Sequence, residues 1–138
     1  MTVVTRTISV KSKEDEMINL TDQTSKAISE SNLKDGIVTV FVSGSTASVT
    51  TIEYEPGLLK DFPQMLSRIV PKDMKYEHQK MWHDGNGHSH VKASLIGPSI
   101  TIPFKDGKMI LGTWQQIVLV EMDTRQRERK IILQIIGE

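Results

Sequence analysis

The feature that most constrains the fold is the run of short β-branched segments in the C-terminal third of the chain. Residues 99–104 and 108–111 flank Asp106-Gly107, a pair typical of tight hairpin turns because glycine tolerates a positive φ. Residues 116–122 and 129–136 form a second apolar pair, and the charged run 125–130 between them predicts a solvent-exposed hairpin tip. Strands joined by such short turns pair antiparallel, so we predict a largely antiparallel sheet.

The N-terminal half adds three strands and one helix to this prediction. Residues 3–11 alternate in polarity, residues 37–43 are apolar on both faces, and residues 47–53 follow directly. These patterns predict three strands, of which the second is central in its sheet. Between the first two, a helix is expected to begin with Thr21 as its N-cap and to end before Asp35-Gly36.

The prolines and the polar composition in the middle of the chain predict the remaining helices and loop. The apolar spacing after Pro56 is helical, but Pro63 predicts two short helices because proline lacks a donor and clashes with the preceding turn. Residues 71–90 show no regular period and predict a long polar loop, followed by a short helical turn over residues 92–96. Together these elements predict an α+β fold in which a few short helices pack on a largely antiparallel sheet.

Length, charge and cysteine content limit the classes of protein to which the chain can belong. Its 138 residues suit one domain over 1–138, and the absence of cysteine excludes disulfides, thiolate zinc sites and cysteine nucleophiles. The 17 basic and 17 acidic residues leave no basic excess for nucleic acid. No apolar run approaches the ~20 residues that span a bilayer, and the first residues do not resemble a signal peptide. We therefore expect a cytoplasmic protein that binds neither nucleic acid nor membrane.

All four histidines lie in one segment, at positions 78, 83, 88 and 90. Imidazole binds divalent metals and titrates near neutral pH, so the clustering is typical of a metal or proton-transfer site. On an extended segment the spacing of His88 and His90 places both side chains on the same face. The alternative interpretation is a solvent-exposed loop whose histidines have no role.

Two further segments are candidates for ligand contacts. Gly44-Ser45-Thr46 follows a buried strand, where small residues can present backbone N–H groups to a phosphate or carboxylate. An ordinary turn between two strands is the simpler interpretation. Trp114 lies between two predicted strands and offers a flat face for stacking a planar ring. A large apolar side chain of this type is more often part of the hydrophobic core, which is the simpler interpretation.

Several of these segments together resemble one known family. They are Phe41-Val-Ser-Gly-Ser-Thr-Ala47, Tyr76-Glu-His78, residues 84–97, Leu111-Gly-Thr-Trp-Gln115 and the closing Ile-Gly-Glu138. In this order they resemble the YjbQ family, also called the secondary thiamine-phosphate synthase family, along essentially the whole chain. The resemblance implies a compact α+β fold and a homo-oligomer, commonly a trimer.

The resemblance also implies a set of site residues. The implied catalytic residues are His78, His90, Lys92 and Glu53, and the implied ligand-binding residues are Asn86, Trp114, Gln115 and Arg129. Many relatives have a histidine where this chain has Gly44, so a three-histidine metal site that uses this position cannot form here. A divalent cation, Mg²⁺ or Zn²⁺, would instead use His78 and His90, with His88 or a carboxylate as a further ligand.

Three functions are compatible with this set of residues. The resemblance implies a thiamine-phosphate synthase-type transferase, which joins a hydroxymethylpyrimidine diphosphate to a thiazole phosphate and releases pyrophosphate. In that reaction Lys92 and Arg129 would neutralise the leaving diphosphate, and Trp114 would stack on the pyrimidine. The alternatives are a metal-assisted hydrolase that uses the same pocket and a non-catalytic ligand-binding or assembly module. We expect the ligand to be a small phosphorylated metabolite.

Overall fold

The computed structural model describes residues 1–138 as eight strands and four helices. The strands are β1 (Thr2–Ser12), β2 (Met17–Asn19), β3 (Gly36–Ser43), β4 (Ala47–Glu53), β5 (Ser99–Lys105), β6 (Lys108–Met109), β7 (Gln115–Glu121) and β8 (Arg127–Gly137). The helices are α1 (Thr21–Ser31), α2 (Pro56–Ile69), α3 (Glu77–Trp82) and α4 (Gly87–Ile96). None of the helices is both long enough and apolar enough to cross a membrane.

The strands form two antiparallel sheets. One has five strands in the order β1-β8-β3-β5-β6, and the other has three in the order β2-β7-β4. Every strand pair is antiparallel. Asp106 and Gly107 both have positive φ in the β5–β6 turn, as the sequence predicts. The prediction of an α+β fold with a largely antiparallel sheet is confirmed.

Two hydrophobic cores lie on opposite faces of the three-stranded sheet. The first lies between the two sheets and is closed by α1, and the second packs the three-stranded sheet against α2 and α4. Strand β7 contributes to both, because Ile117 and Leu119 face the first core and Val118 and Val120 face the second. All four side chains are buried, which explains why this strand is apolar at each position from Ile117 to Val120.

The outer face of the five-stranded sheet is not part of either core. Strand β3 is central, as predicted, but only Val38, Val40 and Val42 face the core, whereas Ile37 and Phe41 face outward and are 41% and 40% exposed. The strand register places these two beside outward side chains of β1, β5 and β8. We call this the outer sheet face; its central residues are Val3, Thr5, Thr7, Ile37, Thr39, Phe41, Ser99, Thr101, Pro103, Ile132, Gln134 and Ile136.

Two predictions about helix boundaries were wrong. The N-cap of α1 is Leu20, and the Thr21 hydroxyl instead accepts a hydrogen bond from the backbone N–H of Ile117 in β7 at 2.8 Å. Pro63 does not divide α2, which is continuous from Pro56 to Ile69. Leu59, Phe62 and Leu66 form one apolar face that packs into the second core on both sides of the proline. This burial outweighs the loss of a single backbone hydrogen bond.

The prediction of a long polar loop over residues 71–90 was also wrong. This segment contains α3 and the first turn of α4, and the predicted short turn over 92–96 is the second half of that helix. His83 ends α3 in the left-handed conformation, with φ of 56°. The local structure places His78 and His90 on two adjacent helices rather than on a loop.

Candidate functional site

The structure brings His78 and His90 together. His78 lies on α3 and His90 on α4, and their ring centroids are 4.4 Å apart with the planes tilted by 50°. The His78 side chain is 28% exposed, so the pair is reached from solvent. We call these two residues the histidine pair.

His88 does not join the histidine pair, and the prediction that His88 and His90 share a face was wrong. Both residues lie on α4, where a separation of two positions turns the side chains to opposite sides of the helix. The His88 ring is buried near Tyr76, with centroids 6.4 Å apart, and its Nδ1 has no hydrogen-bond partner. No three His, Asp or Glu side chains in the structure are arranged to hold a metal ion. The predicted set of His78, His88 and His90 therefore does not form a metal site.

A carboxylate and an amide lie against the histidine pair. Asp84 Oδ1 is 3.3 Å from His78 Nε2. One terminal atom of the Asn86 amide is 2.8 Å from Asp84 Oδ1 and 3.0 Å from His78 Nε2. A contact of 2.8 Å to a carboxylate requires a donor, so we assign this atom as the amide nitrogen. With this assignment Asn86 donates to His78 Nε2 and fixes the orientation of the imidazole.

The pKa of His90 lies below its ordinary value of 6.5. Burial is the larger cause and the nearby His78 adds to it, whereas the carboxylates of Asp84 and Asp123 act in the opposite direction. His90 is therefore neutral at physiological pH, and one of its ring nitrogens can accept a proton.

A buried ion pair lies behind the histidine pair. Glu121 Oε1 accepts from Arg129 Nε at 2.7 Å and from Ser12 Oγ at 2.6 Å. Glu121 Oε2 accepts from Arg129 Nη2 at 2.5 Å and from the backbone N–H of Met122 and Asp123. Each side chain is at least nine-tenths buried. The positive charge of Arg129 is therefore largely balanced inside the protein, and Glu121 has no accepting capacity to spare.

A second ion pair extends this interior network to Asp123 and Arg127. Thr46 Oγ1 accepts from Arg129 Nη2 and donates to Asp123 Oδ2, and Arg127 donates to the same carboxylate oxygen. Burial alone would raise the pKa of Asp123, but hydrogen bonds from Arg127, the Thr124 backbone and Thr46 lower it to about 2. The prediction that residues 125–130 form only a solvent-exposed tip is thus wrong for Arg127 and Arg129, which face inward.

The Gly44–Thr46 turn lies beside the histidine pair. A cavity of about 170 Å³ is lined by Gly44, Ser45, Ala47, His90, Ala93, Ser94 and Pro98. Arg129 Nη1 lies 2.8 Å from the position that a β-carbon on Gly44 would occupy, and no other group lies as close to it. The turn and His90 therefore border one space, which we call the turn cavity, and Arg129 Nη1 lies against Gly44 at its edge.

The other predicted site residues lie elsewhere. Lys92 is two positions beyond His90 on α4 and therefore turns toward α2, where its Nζ is 3.4 Å from Ser67 Oγ. Glu53 pairs with Gln115 at one end of the β4–β7 ladder, and Ala47 pairs with Glu121 at the other. Six residues of strand separate the two ends by ~20 Å. Glu53, Trp114 and Gln115 thus do not meet the histidine pair within one chain.

Trp114 is not a core residue, although its large apolar side chain predicted a place in the core. It is 71% exposed and lines a second cleft of about 370 Å³ with Glu53, Tyr54 and Glu55. Gln115 caps the local turn by accepting from the backbone N–H of Gly112 at 3.0 Å. In one chain, these residues form a separate aromatic and acidic surface.

Sequence reasoning missed the residues that support the histidine pair. Asp84 and Glu121 stand in the sequence as single charges beside apolar segments, and Asp123 and Arg127 stand in a charged turn. The hairpin predicted for the last two strands does not form, because β7 and β8 lie in different sheets. Only the pairing of these side chains across the connection between the two strands, and with Thr46, reveals a network. One feature of the sequence points to this network in hindsight. Glu121 and Arg129 occupy inward positions of two apolar strands, where burial of an unpaired charge is costly, so each requires a partner of opposite charge.

The sequence profile described as UPF0047 protein YjbQ-like matches residues 6–138. The chain belongs to the YjbQ family. A UPF0047 protein of Methanocaldococcus jannaschii is 40% identical over 127 residues, which cover 91% of this chain and 88% of that protein. One from Methanothermobacter thermautotrophicus is 38% identical over 123 residues, covering 89% and 84%.

Solved structures of YjbQ-like proteins share the fold. A YjbQ-like protein of unknown function from Sulfolobus solfataricus superposes with a TM-score of 0.94 at 33% identity, covering 99% of both chains. An uncharacterised YjbQ/UPF0047 protein from Clostridium acetobutylicum gives a TM-score of 0.87 at 38% identity, covering 95% of this chain and 99% of that one. The two-sheet architecture described above is therefore that of the family.

Proposed function

We propose that this YjbQ-family protein is a cytoplasmic transferase of the thiamine-phosphate synthase type that acts on small phosphorylated metabolites. The observation that supports the proposal is the histidine pair, held by Asn86 and Asp84 and open to the turn cavity. It provides a neutral imidazole, His90, at a cavity that Gly44 also lines. Arg129 Nη1 lies against Gly44 and makes no hydrogen bond within the protein.

The proposed reaction needs little covalent participation by the protein. The bond between the pyrimidine methylene carbon and the diphosphate oxygen breaks, and its electron pair leaves with the diphosphate. The ring nitrogen of the thiazole phosphate then forms a bond to that carbon and becomes the cationic nitrogen of the product. The protein therefore has to align two substrates and stabilise the charge on the leaving diphosphate.

The structure changes which residues support that chemistry. Lys92 turns away from the histidine pair, so we no longer assign it to the leaving group. His78 and His90 remain the candidates for hydrogen bonding to the diphosphate, with Arg129 Nη1 behind them. The predicted histidine ligands do not fit a resident metal, so we assign a divalent cation only as the counter-ion that the diphosphate substrate carries.

An in vitro condensation assay tests the proposal. The purified protein is incubated with both substrates and Mg²⁺, and thiamine phosphate is measured by chromatography. We expect His90→Ala to lower the rate by about 100-fold or more, because a positioned hydrogen-bond donor to the charge that develops on the leaving group contributes about that much. His83→Asn is the matched control, because His83 is exposed and asparagine tolerates its left-handed backbone conformation.

Two results would contradict the proposal. An unchanged rate for His90→Ala would show that the histidine pair is not the catalytic site. Binding of both phosphorylated substrates without any product from the wild-type protein would instead support a non-catalytic ligand-binding module.

We also propose that the protein assembles into a homo-oligomer, a trimer, through the outer sheet face. The central residues of this face carry no charge, although solvent-exposed strands normally present charged side chains. Lys11, Lys130 and Glu128 lie beyond it in the strand register. Two copies can therefore meet here without opposing like charges, and association would bury Ile37 and Phe41.

Light scattering coupled to size-exclusion chromatography tests the assembly. Thr39→Lys places a charge at the centre of the face and is expected to convert the oligomer to a monomer, because burying an unpaired ammonium is costly. Ser25→Lys adds the same charge on the exposed side of α1 and should leave the mass unchanged. A wild-type protein that is already monomeric would refute the proposal.

A further inference from the structure

We propose that the Gly44–Thr46 turn and the guanidinium of Arg129 form a binding site for a phosphoryl group. The site lies at the turn cavity, next to His90, and no other basic residue is needed to build it. The inference deepens the proposed function and rests on it only for the identity of the molecule that carries the phosphoryl group.

The first observation is an unused donor on a buried arginine. Arg129 is only 5% exposed, and its Nε and Nη2 are engaged by Glu121 and Thr46. Its Nη1 makes no hydrogen bond within the protein, which leaves two N–H donors free. Glu121 is saturated with donors, so it cannot turn to accept them. Nη1 is not one of the fully buried atoms that lack a partner, so its two N–H donors can be reached from solvent by an anion.

The second observation is that glycine opens this edge. A β-carbon at position 44 would lie 2.8 Å from Nη1, and only Arg129 atoms lie within 4 Å of it. The space in front of Nη1 is therefore clear only because residue 44 has no side chain. Gly44 also has a φ of +144°, which other residues rarely adopt. The glycine thus meets both a conformational and a steric requirement at the same point.

The third observation comes from the backbone of the turn. The N–H groups of Gly44, Ser45 and Thr46 donate no hydrogen bond to any backbone or side-chain acceptor of the chain, whereas the carbonyl of Thr46 accepts from Met122 N at 3.1 Å. Consecutive unpaired N–H groups in a turn are a recurrent feature of anion sites. The turn therefore offers unpaired N–H donors that begin at Gly44, the residue against which Arg129 Nη1 lies.

The donors and the size of the cavity favour a phosphoryl group over a carboxylate. Two guanidinium N–H groups, the backbone N–H groups and the imidazole of His90 exceed the needs of a two-oxygen ligand, but they match a group with three terminal oxygens. The cavity of about 170 Å³ has several times the ~30 Å³ that one water occupies. The two carboxylates of the network, Glu121 and Asp123, are both paired with arginines and oppose the ligand less than free acids would.

Titration of the wild-type protein with inorganic phosphate, followed by amide NMR, tests this site directly. We expect saturable shifts of the Gly44, Ser45 and Thr46 amides and of the Arg129 side chain, and no saturation with acetate. Gly44→Ala should weaken phosphate binding by about tenfold or more, as the loss of one charge-assisted hydrogen bond implies. Gly107→Ala is the matched control, because Gly107 also has a positive φ but lies in the β5–β6 turn.

The outcomes separate this inference from the proposed function. Phosphate binding at the turn without turnover supports the site and counts against the transferase. Turnover without phosphate-dependent shifts at residues 44–46 refutes the site and leaves the transferase standing. If Gly44→Ala proves unfolded, the wild-type shifts alone decide, and their absence or their appearance at another surface overturns the inference.

Discussion

Replacement of Arg129 by methionine tests whether the buried ion pair holds the two sheets together at the site. Methionine fills a similar volume without charge, so the change leaves Glu121 buried and without its cationic partner. Removal of one member of a buried pair costs about 3–5 kcal/mol. The other donors to Glu121, from Ser12, Met122 and Asp123, are neutral and remain. We therefore expect the lower half of that range.

This cost converts into a measurable change in melting temperature. A chain of 138 residues has an unfolding entropy of roughly 290 cal/mol/K, so 1 kcal/mol corresponds to about 3–4 °C. A loss of about 3–4 kcal/mol thus lowers the melting temperature by roughly 10–14 °C. Circular dichroism gives the melting temperature, and urea titration gives the free energy of unfolding at one temperature.

A double-mutant cycle with Glu121→Gln shows whether the loss arises from the pair. Arg129→Met should cost at least about 1 kcal/mol less in the Glu121→Gln background, because no buried anion is then left unpaired. An equal cost in both backgrounds, or a cost below about 1 kcal/mol in the wild type, would refute the reasoning.

Three further predictions concern stability. Burial, and then the charge of Lys92, lower the pKa of His88 below 6.5. The unfolded chain therefore binds a proton at His88 more tightly than the folded protein does, and the free energy of unfolding decreases as the pH falls below about 6.5. His88→Gln should flatten that decline in urea titrations between pH 7 and 5. The pKa of Asp123 is about 2 against an ordinary 3.8, so its contribution to the free energy of unfolding is lost only below about pH 4 and does not interfere. Trp114→Ala should change the free energy of unfolding by no more than about 0.5 kcal/mol, because the side chain is exposed. A much larger decrease would show that Trp114 is a core residue after all. Glu55→Ala should cost about 1 kcal/mol, because its carboxylate accepts from the N–H groups of Gly57 and Leu58 at the start of α2, and an unchanged urea midpoint would contradict this.

The strands were predictable because their signal is local. Alternating or continuous β-branched segments and the Asp106-Gly107 turn are short-range patterns, and the structure has strands at those positions. Helix α4 was not predictable in the same way. Its buried face carries Gly87, His88, Ser89 and Lys92 rather than regularly spaced aliphatic residues, so no helical hydrophobic period marks it.

The candidate site was predictable only in part. His78, Asn86 and His90 were identified from the sequence and lie together. His88 was grouped with His90 because an extended segment was assumed where a helix forms, and a helix separates positions two apart. Glu121, Asp123 and Arg129 acquire their roles through pairing between strands of different sheets and with Thr46, which lies 83 positions away from Arg129. Such long-range pairing leaves no local pattern.

The position of β7 between the two hydrophobic cores has a consequence for how the molecule opens. Neither core can be exposed to water without displacing a strand whose side chains fill the other. The two halves should therefore not behave as independent cooperative units, and amide protons at the centre of β7 should exchange with deuterium only through global unfolding. Glu121 is the last residue of β7. A ligand that binds the folded protein at this site would therefore slow amide exchange in β7, the strand whose amides exchange most slowly.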